Sequence, residues 1–417
     1  MEISTVILFV GLLIFLAHLF SGLFERTRIP DVLPLVFIGL LLGPLFGFIT
    51  PETFGQVGNV FISITLVVIL FESGIGLNFS TLRNSFGGGI KLTVINFVVT
   101  SMAVTTIVIP SGMSILNGLI LGAILGGTSS AVVIPIVGKL RLQESTRTSL
   151  ILESTFSDVL CIVVTLALIQ AATSNDLKPI GIFGNIIASF FLAAIIGGFF
   201  ALLWASILST IRRLENSIFL TPAFVFIIYG MTEMLGYSGA IASLTFGVTL
   251  GNIRSIPFVS SHGLKLPLVG GRAIQFQPIS LNKTEKTFFA EVVFLLKTFF
   301  FVYLGLSIRL NALNIIIVGL LFTLIMFTIR IPIVRLSMNK TTPKLDASLA
   351  AVIVPKGLAA AVLASLPLQA GILNGQLMQD IVYSVILFSI IATAILTFLI
   401  EINKIKQPYT RVFSKYA

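Results

Sequence analysis

Uninterrupted apolar runs of about 20 residues recur from one end of the chain to the other, each long enough to cross a bilayer as a helix. They occupy residues 4–24, 31–49, 57–77, 90–110, 114–139, 146–173, 180–211, 217–235, 238–253, 287–307, 312–337, 346–368 and 378–401. The runs are continuous, without the apolar–polar alternation of barrel strands, so a transmembrane β-barrel is excluded. With 56% hydrophobic and 10% charged residues, the chain lies far from soluble domains, which are roughly a quarter charged. The prediction is an all-α polytopic membrane protein of about 13 transmembrane helices. The first run lacks a basic flank and a clear cleavage site and reads as a retained helix. The lone Cys161 lies inside an apolar run, so disulfides play no part in the fold.

The net charge of +10 raises the question of nucleic acid, and its distribution answers it. At the span ends and beyond them, 21 Lys and Arg residues fall on one side, and Lys178 and Arg309 fall on the other. That asymmetry places the N-terminus outside and the C-terminus in the cytoplasm of a cytoplasmic-type membrane. The basic balance is therefore topology, with the lipid bilayer as partner and no nucleic acid. The longest segment between spans, 254–286, reads as a cytoplasmic solvated linker. Residues 402–417 form a short cytoplasmic tail.

Two spans carry interruptions. Gly126-Gly127 followed by Thr128, Ser129 and Ser130 weakens the fifth, and Pro355 with Gly357 weakens the twelfth. If the seventh span is a linker (174–216), the chain divides into two six-helix repeats, 1–173 and 217–401, of inverted topology. The interruptions then hold equivalent fifth positions, a pattern that points to a transporter binding site. Small residues that let helices pack closely are the competing explanation for each break taken alone.

Ionisable groups inside spans are costly and mark function by default. Here they are Glu72, Glu153, Asp158, Glu233, Glu291, Lys297, Arg330 and Lys356. At 1.5 Å rise per residue, Asp158, Lys297 and Lys356 reach about the same midplane level, while Glu153 and Arg330 share a shallower one. Asp158 shares its helical face with Ser154, Cys161 and Thr165, a stripe of small polar groups suited to a cation path. Glu153 points about 140° away, free to form a supporting ion pair with Arg330. Lys297 and Lys356 are possible charge partners; Lys297 either pairs with Asp158 or balances Glu291 or Glu72, though it and Glu291, six apart, do not share a helix face.

In these stretches, "LESTFSDVLCIVVT" (152–165), "TFFFVYLGL" (298–306), "PKGLAAAVLASLP" (355–367) and "GGTSSAVVIP" (126–135), the chain resembles the monovalent cation:proton antiporter superfamily, especially its NhaP-like sodium/proton exchangers. The resemblance covers nearly the whole chain. It implies that Asp158 binds cation and proton alternately and that Glu153 and Arg330 correspond to the family's glutamate and arginine. It also implies that Ser154 and Thr128 belong to the site, with Glu72 where some members have another cation-site acid. Ser157 replaces the family's Asn or Asp, Thr128-Ser129-Ser130 replaces Thr-Asp-Pro, and Lys356 stands where an arginine is usual. A homodimer and an elevator-like movement are further implications.

The resulting expectation is a secondary antiporter exchanging Na+ or K+ for protons by alternating access. Cation and proton compete for Asp158, assisted by Ser154, Ser157 and the Thr128 carbonyl, with Glu72 a further candidate. No cofactor is implied, and two scattered histidines with one cysteine make no metal cluster. One rival is a channel-like K+ efflux protein on the same scaffold. The other, an intramembrane enzyme, lacks a His or Lys base on the face that carries the hydroxyls of "ESTFSD".

Overall fold

The computed structural model describes residues 8, 11–20, 22, 30, 32–50, 55–77, 88–173, 179–211, 217–253, 264–267, 273–276, 281–309, 313–402, 406–414 and 416. Its helices are α1 (Gly11–Phe20), α2 (Val32–Leu40, continued by a π turn to Leu45), α3 (Gly55–Gly76), α4 (Gly89–Val108), α5 (Ile115–Leu125), α6 (Ser130–Lys139), α7 (Glu144–Thr173) and α8 (Pro179–Ile211). There follow α9 (Leu220–Met234), α10 (Gly239–Gly251), α11 (Lys283–Ser307), α12 (Leu313–Ser337), α13 (Lys344–Val352), α14 (Leu358–Gln369), α15 (Gly375–Glu401) and α16 (Lys406–Val412). Every apolar run overlaps at least one of them. Among the described residues, 7 helical stretches are long and apolar enough to cross a membrane, and the remaining apolar helices are shorter. The fifth and twelfth runs are each two helices, α5–α6 and α13–α14, with unwound chain between.

One expectation needs correction. The segment 254–286 is not all linker, because Leu264–Pro267 and Ala273–Phe276 pair as an antiparallel hairpin, Leu264 opposite Phe276 and Pro267 opposite Ala273. Leu264-Lys265-Leu266 and Ile274-Gln275-Phe276 alternate apolar and polar, and Gly270-Gly271 lies in the connection, which together make a short-range hairpin signal. Among the described residues the architecture is helical with this one small addition.

The chain forms two compact units. One comprises Met1–Asn59, Ser85–Thr173 and Leu295–Ala417; the other comprises Val60–Asn84 and Ser174–Phe294. The smaller unit is built around aromatic packing. Trp204 of α8 stacks on Phe224 of α9 with ring centroids 4.3 Å apart, and its indole N–H donates to Thr221 Oγ1 at 3.1 Å. Phe71 of α3 meets Phe246 of α10 and Phe289 of α11 edge-on or tilted. Gly74 and Gly247 let α3 and α10 touch backbone to backbone, where a Cβ on either would strike the other helix. Without a hydrophobic drive between helices in lipid, such close approach is a main source of cohesion.

In the larger unit α4 packs on α5, α7 and α12, and α15 packs on α12 and α14. Ser101 of α4 donates to Gly122 O of α5 at 2.9 Å, where a Cβ on Gly122 would collide with the Ser101 backbone. Asn117 Nδ2 at the start of α5 reaches Leu373 O, after α14, at 2.9 Å. Asp346 of α13 accepts from Gln143 N, after α6, at 2.9 Å. The two broken helices are thus tied beyond both of their ends. The tail is also packed: Phe413 is buried, and the Tyr416 hydroxyl donates toward Val334 O (3.3 Å) and Arg335 O (3.1 Å), the last-turn carbonyls of α12.

Three of these helices meet at one buried ion. Arg330 of α12 is 0% exposed and Glu153 of α7 is 1% exposed, and the guanidinium grips both carboxylate oxygens, Nη2 to Oε2 at 2.6 Å. Its remaining edge donates from Nε to Ala350 O in α13 at 3.1 Å. The planar fork of arginine suits this bidentate grip, which a lysine cannot reproduce. Removing one partner strands the other charge without water, at a cost of about 3–5 kcal/mol. Arg330→Ala is therefore expected to lose most of its folded yield, with a lowered melting temperature in detergent. The double variant Glu153→Leu/Arg330→Leu should recover part of that loss. A well-folded Arg330→Ala protein whose cation KM has moved strongly would assign Arg330 to the ion path instead.

Candidate ion-binding site

The site begins with the reason two helices can break in hydrocarbon. Every unwound N–H and C=O there needs a partner from the protein. Between α5 and α6, Gly126 presents its carbonyl to Asn96 Nδ2 of α4 at 3.2 Å. The Gly127 carbonyl receives the Lys356 ammonium. Thr128 N–H donates to Ser157 Oγ of α7 at 2.9 Å, and the Ser157 hydroxyl lies 3.2 Å from both Thr128 O and Ser154 O, its possible acceptors. Ser129 N–H crosses directly to Pro355 O at 2.8 Å.

Between α13 and α14 the partners come from α15. Val354 N–H donates to Thr393 Oγ1 at 3.4 Å and Lys356 N–H to Ser389 Oγ at 3.0 Å. Ser389 and Thr393 stand four residues apart, on one helix face. Pro355 supplies no N–H and holds the residue before it extended, which sets the break. Glycines complete the crossing. A Cβ on Gly357 would fall on Ser129 Oγ, and one on Gly127 would lie 2.7 Å from Cys161 Sγ.

Asp158 lies beside this crossing. Its Oδ2 accepts from Ser130 Oγ at 2.6 Å and faces Ser130 N at 3.4 Å. Ser130 is the first residue of α6, a helix of 10 residues, so the carboxylate sits where the helix dipole favours negative charge. Asp158 and Ser130 are both half-buried. The hydroxyls expected beside Asp158 are placed differently. Ser154 and Ser157 are fully buried; Ser154 donates to Ile151 O at 3.0 Å, and Ser157 holds the Thr128 backbone. Thr128 is buried, with its Oγ1 3.5 Å from Ser157 Oγ. Thr165, further along the Asp158 face, is a buried hydroxyl without a hydrogen-bond partner.

The other candidates separate. Lys356 is buried and bound to the Gly127 carbonyl, bringing a positive charge onto the unwound chain of α5–α6. Lys297 is half-buried on α11, in the larger unit. Glu72, on α3, belongs to the smaller unit, whereas Asp158 belongs to the larger. Ser130 was not among the expected site residues. Its signal lay in the sequence, a hydroxyl at the first position of a half-helix that opens after Gly-Gly. Among the described residues no group of three or more His, Cys, Asp and Glu is placed to hold a metal. What the arrangement offers is one reachable carboxylate with hard oxygen neighbours, able to take a proton or a small cation.

Comparison with known proteins gives the family and the fold. The family model described as "Sodium/hydrogen exchanger, transmembrane" matches residues 11–401. The chain is 28% identical over 168 residues to "Na(+)/H(+) antiporter 1" of Methanocaldococcus jannaschii, covering 40% of this chain and 39% of that protein. It is 27% identical over 264 residues to "K(+)/H(+) antiporter NhaP" of Alkalimonas amylolytica, covering 60% of this chain and 45% of that one. The chain thus aligns with under half the length of either relative. The structure of the sodium proton antiporter MjNhaP1 from Methanocaldococcus jannaschii at pH 8 shares its fold, with TM-score 0.73 at 23% identity over 94% of this chain and 100% of that one. An electron-microscopy structure of MjNhaP1 gives TM-score 0.68 at 22% identity, covering 100% of both chains. With its broken-helix crossing, its apolar helices and a family match over most of its length, this multi-pass membrane chain belongs to the sodium/hydrogen exchanger family.

Proposed function

We propose that the chain is a secondary antiporter that exchanges a monovalent cation, Na+ or K+, for protons by alternating access, with both ions competing for Asp158. The observation that carries this reading is the half-buried Asp158 carboxylate, held by Ser130 at the start of α6 beside two crossing broken helices. Both Na+ and K+ appear in the names of similar proteins, so the cargo is left as either ion. The protein is read as a homodimer in a cytoplasmic-type membrane, N-terminus outside and C-terminus cytoplasmic, with 1–173 and 217–401 as inverted repeats around the linker 174–216.

The residues act by electrostatics and geometry. An ionised Asp158 attracts a cation that has shed part of its hydration shell, and neighbouring oxygens replace that water. A protonated Asp158 is neutral and holds no cation. One carboxylate therefore alternates between two cargoes, and the unoccupied charged form is the costly one in a low-dielectric surrounding. The fixed charges, Lys356 on Gly127 and Arg330 on Glu153, keep the surrounding framework bonded whichever ion is present.

Competition has a defined sign. Lower pH protonates Asp158, so the apparent cation KM should rise as pH falls, approaching about tenfold per unit below the site's pKa, while maximal rate changes less. Dequenching of a pH probe in proteoliposomes across Li+, Na+ and K+ measures this and identifies the cargo. A KM independent of pH would end the competition reading, and flux that needs no counter-ion gradient would point to a channel.

Asp158→Asn removes the titrating group at nearly constant shape. It is expected to give a folded protein without coupled exchange. PH-dependent transport surviving in that variant would move the site elsewhere, with Glu72 the next candidate to substitute. Exchange of one proton for one monovalent cation on a single carboxylate moves no net charge. Solid-supported membranes under a cation gradient should therefore show no sustained current, and a sustained current would call for a second proton carrier, with Lys297 first to test.

A further inference from the structure

We propose that Ser130 Oγ is itself a ligand of the transported cation, and that its hydrogen bond to Asp158 is the cation-free form of the site. This rests on the reading of Asp158 as the cation site. The case comes from which oxygens are reachable. Ser154 and Ser157 are fully buried and engaged with backbone, and Thr128 is buried against Ser157. Ser130 is half-buried, as Asp158 is, and its oxygen lies 2.6 Å from the carboxylate.

A serine hydroxyl carries one proton and two lone pairs. In the cation-free site the proton points at Asp158 Oδ2. A cation arriving at that carboxylate takes the proton's place, and rotation of the hydroxyl about the Cβ–Oγ bond turns a lone pair toward it. No covalent bond changes, and the backbone need not move. The position of the oxygen is well defined because Ser130 N also faces Oδ2 at 3.4 Å and the preceding Ser129 N–H is tied to Pro355 O. The residue opens α6 and so stands at the boundary between rigid helix and unwound chain. A proline at this position, the family pattern noted above, could supply neither the hydroxyl nor the N–H.

The sign of the effect separates two roles for Ser130. As a hydrogen-bond donor alone, it competes with the cation for the carboxylate, and its removal would lower the cation KM. As a ligand, its removal raises KM. In proteoliposomes of the full chain, Ser130→Ala is expected to raise KM for the cation that wild type transports by about tenfold, the scale of one lost ion–oxygen contact, with maximal rate little changed. Ser130→Thr, which keeps the oxygen, should restore most of the affinity. Thermal stabilisation of the detergent-purified protein by NaCl or KCl, over choline chloride, should weaken in parallel in Ser130→Ala. If the alanine variant does not fold, Ser130→Cys carries the measurement, since sulfur keeps the size but is a poor ligand for a hard cation. An unchanged or lowered KM would overturn the proposal. The two readings fail separately: persistent exchange in Asp158→Asn removes the site itself, whereas a silent Asp158→Asn beside a Ser130→Ala of ordinary KM removes Ser130 alone.

Discussion

The crossing of two unwound segments depends on one constraint, that peptide groups in a hydrocarbon layer have no water to turn to. An unbroken helix meets it by itself. A broken one exposes donors and acceptors that other elements must satisfy, and here the segments partly satisfy each other, Ser129 N–H on Pro355 O and the Lys356 ammonium on Gly127 O. The neighbouring helices supply the rest through side chains: Asn96 from α4, Ser157 from α7, Ser389 and Thr393 from α15. The polar residues scattered through otherwise apolar helices are to that extent a support system for the breaks. The half-helix that begins at Ser130 then has a free N-terminus facing a carboxylate, which an intact helix could not provide.

A second consequence concerns the two acids of α7. Glu153 and Asp158 are five residues apart in one helix, and the rotation between them sends them into different environments. Glu153 is closed off by a bidentate arginine and is part of the framework. Asp158 is half-buried, and Ser130 reaches it with its hydroxyl at 2.6 Å and its N–H at 3.4 Å. Burial and pairing thus give two carboxylates on the same helix different surroundings. The close-packing glycines serve the same end: Gly126, Gly127 and Gly357 bring chain near enough for these contacts, and a single methyl group at any of them would push α4, α7 or the opposing unwound segment away.

Much of this was legible from residue types and periodicity. The apolar runs specify membrane helices, Gly126-Gly127 and Pro355 with Gly357 specify where two of them break, and the helical repeat alone puts Glu153 and Asp158 on different faces. These are local properties, decided within one or two turns of chain. The hairpin at 264–276 was local too, in its alternating pattern, but an apolar–polar run of a few residues is easily read as linker when the surrounding segment is rich in Pro and Gly.

What the tertiary structure alone decided is which distant groups meet. Depth along a helix can match Arg330 to Glu153, but it cannot show that the third donor edge of Arg330 ends on Ala350 O, nor that Lys356 ends on a carbonyl and not a carboxylate. It cannot divide Glu72 from Asp158 into separate compact units, or show that Ser154 and Ser157 turn to backbone while Ser130 turns to Asp158. Those outcomes depend on how each helix is rotated about its axis and where two helices cross. Rotation and crossing are set by packing summed over whole helices, so the sequence determined the pieces and their chemistry, and only the packed fold determined their partners.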